Sequence, residues 1–336
     1  MKKSYILWLA LSLLVLTLLG FYITQIIQPK YKPNTKEALI LLVNNNRVKL
    51  GNIDTSKITD MSALFMESKR SDFSGIESWD VSNVKNMEKM FYGAKEFNQD
   101  ISSWDVSNVE NMRSMFSEAE KFNQNIGSWD VSNVKSMRGM FASTYRFNKD
   151  ISAWNVSNVI DISFMFLYAG SFNQNIGSWD VSNVKYMSYM FYGASFFNQD
   201  ISNWNVSNVE SMEGMFSHTL RFNQNLNKWD VSNVKNMEYM FEQADEFNGD
   251  ISAWNVSNVN TMFKMFAETK NFNQDIGAWD VSNVKDMRYM FCDAIKFNQD
   301  ISRWDISNVE DMDDMFYGAV NFNQNLSWWS FVVEHE

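Results

Sequence analysis

With 336 residues and a formal net charge of −11, the chain presents an acidic surface that repels phosphate backbones, which argues against nucleic acid as a partner. Its single cysteine, Cys292, excludes an intramolecular disulfide and a cysteine-based zinc site. The 22 Met and 13 Trp are unusual, and they arise from a few columns of a repeat.

The N-terminus comes first. Lys2 and Lys3 precede an uncharged run from Tyr5 to Ile27. As a helix this run would reach about 35 Å, enough to cross a hydrocarbon core of about 30 Å with some tilt. It is longer than the apolar region of a cleaved signal and lacks a small-residue cleavage site. Residues 1–28 are therefore read as an uncleaved transmembrane helix, with a cleaved signal as the alternative. No cysteine follows directly, so a lipoprotein anchor is excluded. The two lysines should stay in the cytoplasm, which places the rest of the chain outside it, at the cell surface or in a periplasm. Residues 29–50 read as a linker and capping helix. Pro29 and Pro33 stiffen the exit, and Asn34 to Glu37 forms an N-x-x-E start for a helix through about Asn44, with Ala38, Leu39, Leu41 and Leu42 to cover the first coil.

A repeat follows. Tryptophan recurs at 79, 104, 129, 154, 179, 204, 229, 254, 279, 304 and 329, always 25 residues apart. Residues 51–78 are a degenerate first coil, 79–328 hold ten units, and 329–336 form a tail. Within a unit, Val184, Met187, Met190, Phe191 and Ala194 fall on one face at helical spacing. Ser107 to Glu110 has the S-x-x-E form of a capping box. Gln99 to Ser102 alternates polar and apolar residues like a short strand. These patterns predict an α/β fold: a leucine-rich-repeat-like solenoid of about ten strand–helix coils. Units this short cannot bury an apolar face alone, so they must stack.

Columns read down the array test the register. Lys85, Glu110, Lys135, Ile160, Lys185, Glu210, Lys235, Asn260, Lys285 and Glu310 never place lysine beside lysine, as expected of neighbours about 4.8 Å apart. An unbroken column from Asn98 to Asn323 predicts an asparagine ladder that satisfies backbone amides at a corner.

The unit Phe-Asn-Gln-Asp-Ile-Ser-x-Trp-Asp-Val-Ser-Asn-Val-x-x-Met-x-x-Met-Phe resembles that of the BspA-like leucine-rich-repeat surface proteins of bacteria, and the segment from Leu50 to Met61 looks like their first coil. The resemblance covers about Pro33 to Ser327. It implies a leucine-rich-repeat-like fold displayed at the cell surface and an association with adhesion to host proteins or other cells. The motif describes a scaffold, so no functional residue carries over. The chain departs from many relatives in having a transmembrane-like anchor where they have a lipoprotein or wall signal.

Chemistry-bearing residues are sparse. His218 and His335 are the only histidines, and neither has a companion motif for nucleophilic catalysis. Asp80, Asp105 and Asp130 lack the dense Gly-Asp motifs of calcium-binding repeats; they read as acidic residues at helix starts. The methionine columns read as core filler, not soft-metal ligands. Asn155-Val-Ser, Asn205-Val-Ser and Asn255-Val-Ser match a glycosylation pattern only because Asn replaces Asp in a structural column. No catalytic, cofactor or metal site is expected. The functional lead is a cluster of variable aromatics: Phe164, Tyr168, Tyr186, Tyr189 and Tyr192. Clustered exposed aromatics mark recognition surfaces, whereas scattered ones are ordinary. The expected function is a non-enzymatic, membrane-anchored scaffold that binds an unidentified protein or cell-surface partner. A passive envelope spacer is the alternative.

Overall fold

The computed structural model describes residues 30–329. The expected membrane segment, on residues 1–28, and the tail beyond 329 lie outside the described residues. Among the described residues no helix is long and apolar enough to cross a membrane.

The strand–helix coil is overturned. The described residues hold one α-helix, α1 (Lys36–Val43), three short 3-10 turns, and no strand beyond isolated bridges. An α/β leucine-rich-repeat-like solenoid is therefore not the architecture. Each unit is instead a coil of successive turns, and the coils lie in parallel register. Asp60 bridges Asn86, and the bridge then recurs every 25 residues to the pair Asp286 and Asp311.

The coil between Trp179 and Trp204 shows why no helix forms. Met190, Tyr192, Ala194 and Phe197 each donate their amide three residues back, to Met187, Tyr189, Phe191 and Ala194. The amides between them point the other way. Those of Tyr189, Phe191 and Gly193 donate to Glu213, Met215 and Ser217 of the next coil at 2.7, 3.0 and 2.9 Å. A helix needs bonds four residues back, and half of the donors here leave the coil. Two residues per coil also take left-handed backbone conformations. Tyr189 has φ 56° and Gly193 has φ 68°, and the equivalent positions of every unit from Lys89 to Gly318 do the same. Most are not glycine, although this region disfavours residues with a Cβ.

The apolar columns are buried as the sequence predicts. Met187, Met190, Phe191, Ala194 and Phe197 are sealed from solvent. Phe191 and Phe197 stack at 3.9 Å within the coil, and Phe191 meets Phe216 of the next coil at 5.7 Å. Trp204 and Trp229 stack at 6.4 Å, 4° from parallel. The Trp204 Nε1 donates to the carbonyl of Ile176 at 3.0 Å, so the indole is satisfied inside the core.

Polar ladders run outside this core. The side-chain oxygen of Asn173 accepts from the amide of Asn198 at 2.9 Å, and Asn198 repeats this for Asn223 at 3.0 Å. The bonds continue from Asn98 to Asn323, so the expected asparagine ladder is present. A second ladder runs beside it: Asn208 Nδ2 donates to Ser182 O at 2.7 Å, as do its equivalents along the array. Lysine–glutamate pairs form at Lys135 and Glu110, 2.7 Å, and at Lys285 and Glu310, 2.8 Å. The capping-box reading fails. Asp105 accepts from the amide and hydroxyl of Ser107 at 3.1 and 2.6 Å, closing a turn where a helix start was expected.

At the N-terminal end a helix forms, but its cap is Thr35 where Asn34 was expected: Thr35 Oγ1 accepts from Ala38 N at 3.2 Å. Leu39 and Val43 face the first coil. The buried Arg70 guanidinium donates to the carbonyls of Val43 and Asn45 at 3.0 and 3.2 Å, satisfying the open end of α1.

Two outcomes follow from this backbone. Lys89 is left-handed, with φ 55°. That conformation costs an L-residue about 1–2 kcal/mol, against about 0.5–1 kcal/mol of extra chain entropy for glycine. Lys89→Gly is therefore expected to stabilise the chain by about 0.5–1 kcal/mol in urea unfolding, where a helical position would lose about 1 kcal/mol. Acid should act on the Asp–Ser turns. Hydrogen bonds donated by Ser132 and Ser182, first from the side chain and then from the backbone amide, hold the Asp130 and Asp180 carboxyls below the usual carboxylate range. Groups depressed in the folded state stabilise it above their unfolded pKa of about 4 and lose that contribution as pH falls through the folded value. Thermal melts should hold from neutrality to about pH 4.5 and decline below it. Replacing Asp130, Asp180, Asp230 and Asp280 by Asn should flatten the decline, because Asn155 already accepts the same bond from the amide of Ser157.

Candidate functional site

The variable aromatics stand on the run of turns that carries the left-handed residues. Phe164, Tyr168 and Tyr189 are themselves left-handed, at φ 61°, 53° and 56°, which swings their side chains off the core columns. In-register stacking then brings aromatics of successive coils together. Phe164 and Tyr189 stack at 5.2 Å. Tyr192 lies edge-on to Tyr168 at 5.1 Å and to Tyr189 at 5.8 Å, and His218 stacks on its far side at 4.9 Å.

Two glycines make room for these rings. The Tyr168 ring lies where a Cβ on Gly193 would stand, and the Tyr189 ring where a Cβ on Gly214 would stand. Each glycine is left-handed and sits one coil after the tyrosine it accommodates. Any other residue at Gly214 would push the Tyr189 ring away.

The result is an open concavity of about 350 Å³ lined by Phe164, Leu167, Tyr168, Tyr189, Tyr192, Tyr239 and Glu242. Four of the five predicted residues belong to it. Tyr186 does not: it occupies the bridge column between Asp161 and Ser211, and its ring is exposed elsewhere on the surface. Sequence reading missed Tyr239 and Glu242. Tyr239 shares a column with Phe164 and Tyr189, but Gly214 interrupts that column.

Acidic groups surround the rings. The Tyr189 hydroxyl donates to Glu213 at 2.5 Å, and burial followed by that bond raises its pKa. Burial, then the neighbouring Tyr168 hydroxyl, pushes Tyr192 up to about 12. Burial raises Tyr239, reinforced by Glu242, Glu238 and Glu213. All three phenols stay neutral at ordinary pH. The Glu242 side chain is only 13% exposed; its Oε1 lies 3.6 Å from Lys264 Nζ, and its Oε2 accepts from Ser217 Oγ at 3.2 Å. Ser217 also pairs with His218 Nδ1 at 3.0 Å. This carboxylate–hydroxyl–imidazole set is not a nucleophilic site, because Ser217 is fully buried and out of reach of a substrate. It fixes the Glu242 carboxylate at the edge of the concavity. Cys292 lies apart, its thiol pushed up to about 11 by burial and then by Asp293, and it stays protonated near neutrality.

The comparison with protein families matches this chain to the family described as Mycoplasma protein of unknown function, DUF285, over residues 37–152, 122–227, 171–270 and 239–333. Four overlapping matches along one chain are what a tandem repeat produces, and the finer likeness to BspA-like leucine-rich repeats is not part of this match. No curated protein matches the chain. Since the matched stretches together run from 37 to 333, the chain belongs to this Mycoplasma family of unknown function.

Proposed function

We propose that the chain is a non-enzymatic binding scaffold, held at a membrane by its uncharged segment 5–27 and displayed outside the cytoplasm, where it grips a partner protein or cell surface. The observation that carries the reading is the concavity of Phe164, Tyr168, Tyr189, Tyr192 and Tyr239. Most other columns repeat one residue type from coil to coil and are occupied by the fold. Here the residues differ from coil to coil, the rings are partly solvent-facing, and two glycines shape the space between them. Recognition surfaces favour aromatics of this kind, which bring large contact area at low entropy cost. The likeness of the repeat unit to BspA-like surface proteins supports the same reading, because members of that group are associated with adhesion. Strict 25-residue spacing leaves no insertion to carry a catalytic loop, which weighs against an enzyme.

The full chain, purified in detergent, should bind its partner surface saturably. Replacing both Tyr189 and Tyr192 by Ser should weaken that binding about tenfold or more, the loss expected of a hot spot, with the circular dichroism spectrum retained. Unchanged affinity in a folded double variant would remove the patch from the reading. The topology has its own check. Protease added to cells, intact and with any outer layer permeabilised, should digest the repeat region; protection in both states would refute an extracytoplasmic location.

A further inference from the structure

We propose that the concavity between Phe164 and Tyr239 binds a quaternary ammonium group, a trimethylalkylammonium carried by the ligand; this rests on the reading of this face as a binding surface. The faces of aromatic rings are negative and attract cations, most strongly where water is displaced. Here Tyr168, Tyr189, Tyr192 and Tyr239 line one open concavity with Phe164 at its rim, and the Glu242 carboxylate is fixed at its edge by Ser217. Glu213 and Glu238 add negative charge beside the same rings, offset in part by Arg288 near Tyr239.

The chain already places cations on the rings flanking this space. The Arg138 guanidinium lies 4.5 Å from the centroid of Phe164. Lys264 Nζ lies 5.7 Å from Tyr289 and 5.8 Å from Phe263. Among the described residues no lysine or arginine covers Tyr189, Tyr192 or Tyr239, and the His218 ring takes one face of Tyr192. The central rings are thus the ones left for a ligand.

Hydrogen bonding selects the kind of cation. Glu242 is already engaged by Ser217 and Lys264, and the Tyr189 hydroxyl by Glu213. A primary ammonium is strongly hydrated through its donors, and in an open concavity it keeps that water and sits off the ring faces. A trimethylammonium has no donors. It asks only for π faces, methyl contacts and a nearby negative charge, which the concavity supplies.

The test uses the full chain in detergent, choline chloride as the probe, and 3,3-dimethylbutan-1-ol as its uncharged isostere, by titration calorimetry. Choline should give saturable heats in about the millimolar range, reasonable for so small a ligand. The isostere should bind about fivefold or more weakly. Tyr239→Leu should weaken choline about fivefold, and Glu242→Gln about threefold, with little effect of either on the isostere. Both variants are checked by thermal melting, and Glu242→Gln serves if Tyr239→Leu unfolds. Equal affinities for choline and the isostere, no saturation by choline at about 50 mM, or unchanged choline affinity in a folded variant would each overturn the proposal. If choline fails while the partner surface is still lost on replacing Tyr189 and Tyr192, this inference falls and the binding-surface reading stands.

Discussion

No coil of this protein can satisfy its own backbone. Along each run of turns every second amide donates forward to a carbonyl of the next coil, as Tyr189, Phe191 and Gly193 do to Glu213, Met215 and Ser217. Buried donors without acceptors are costly, so each coil is complete only against its neighbour, held in register by 25 residues. Stacking of like on like follows from that constraint. Phenylalanine meets phenylalanine, tryptophan meets tryptophan, and the oxygen of each asparagine in the ladder receives the amide of the next. A residue inserted within the run of turns would part these amides from their acceptors in the next coil, which agrees with the uninterrupted spacing from Trp79 to Trp329.

The same constraint explains what the sequence revealed and what it concealed. Burial was legible, because Met187, Met190, Phe191 and Ala194 recur with spacings of three, one and three, and all are sealed in the core. Conformation was not. Those spacings suit one face of a helix, but a chain of turns with bonds three residues back buries the same set. The discriminating signal was faint. Glycine occupies the left-handed positions of the ten units only at Gly93, Gly139, Gly193, Gly214 and Gly318, and elsewhere they hold Lys, Glu, Ser, Phe, Tyr, His, Gln or Asp. A single sequence therefore hid a backbone conformation that every coil shares. The Asp and Ser of each turn misled in a related way, since an acidic or hydroxyl residue before an apolar run signals a helix start and here closes a local turn.

The candidate site was legible in part, for a geometric reason. Phe164, Tyr168, Tyr189 and Tyr192 lie within two neighbouring coils, so sequence proximity groups them. Tyr239 and Glu242 are two coils further on, past Gly214, and only stacking returns them to the same concavity. Tyr186 was grouped by proximity as well, but it lies on the bridge column, which points elsewhere. Helical angles cannot separate Tyr186 from Tyr189 correctly when the residues between them are not helical.

Function in such an array belongs to the columns that the hydrogen-bond pattern leaves unassigned. Core columns stay apolar or, at Thr144, Thr219 and Thr269, donate a buried hydroxyl to a carbonyl of the preceding coil, and the asparagine columns keep an amide. The first left-handed column is different: its backbone is held by neighbouring coils whatever side chain it bears, and its side chains leave the core. It carries Lys89, Ser114, Gly139, Phe164, Tyr189, Gly214, Tyr239, Lys264, Tyr289 and Asp314 in turn. That freedom lets the array set rings, a gap and charges at intervals of one coil without disturbing the core. The concavity is the stretch where this sequence runs Phe, Tyr, Gly, Tyr, so the absent side chain at Gly214 shapes the site as much as the rings on either side of it.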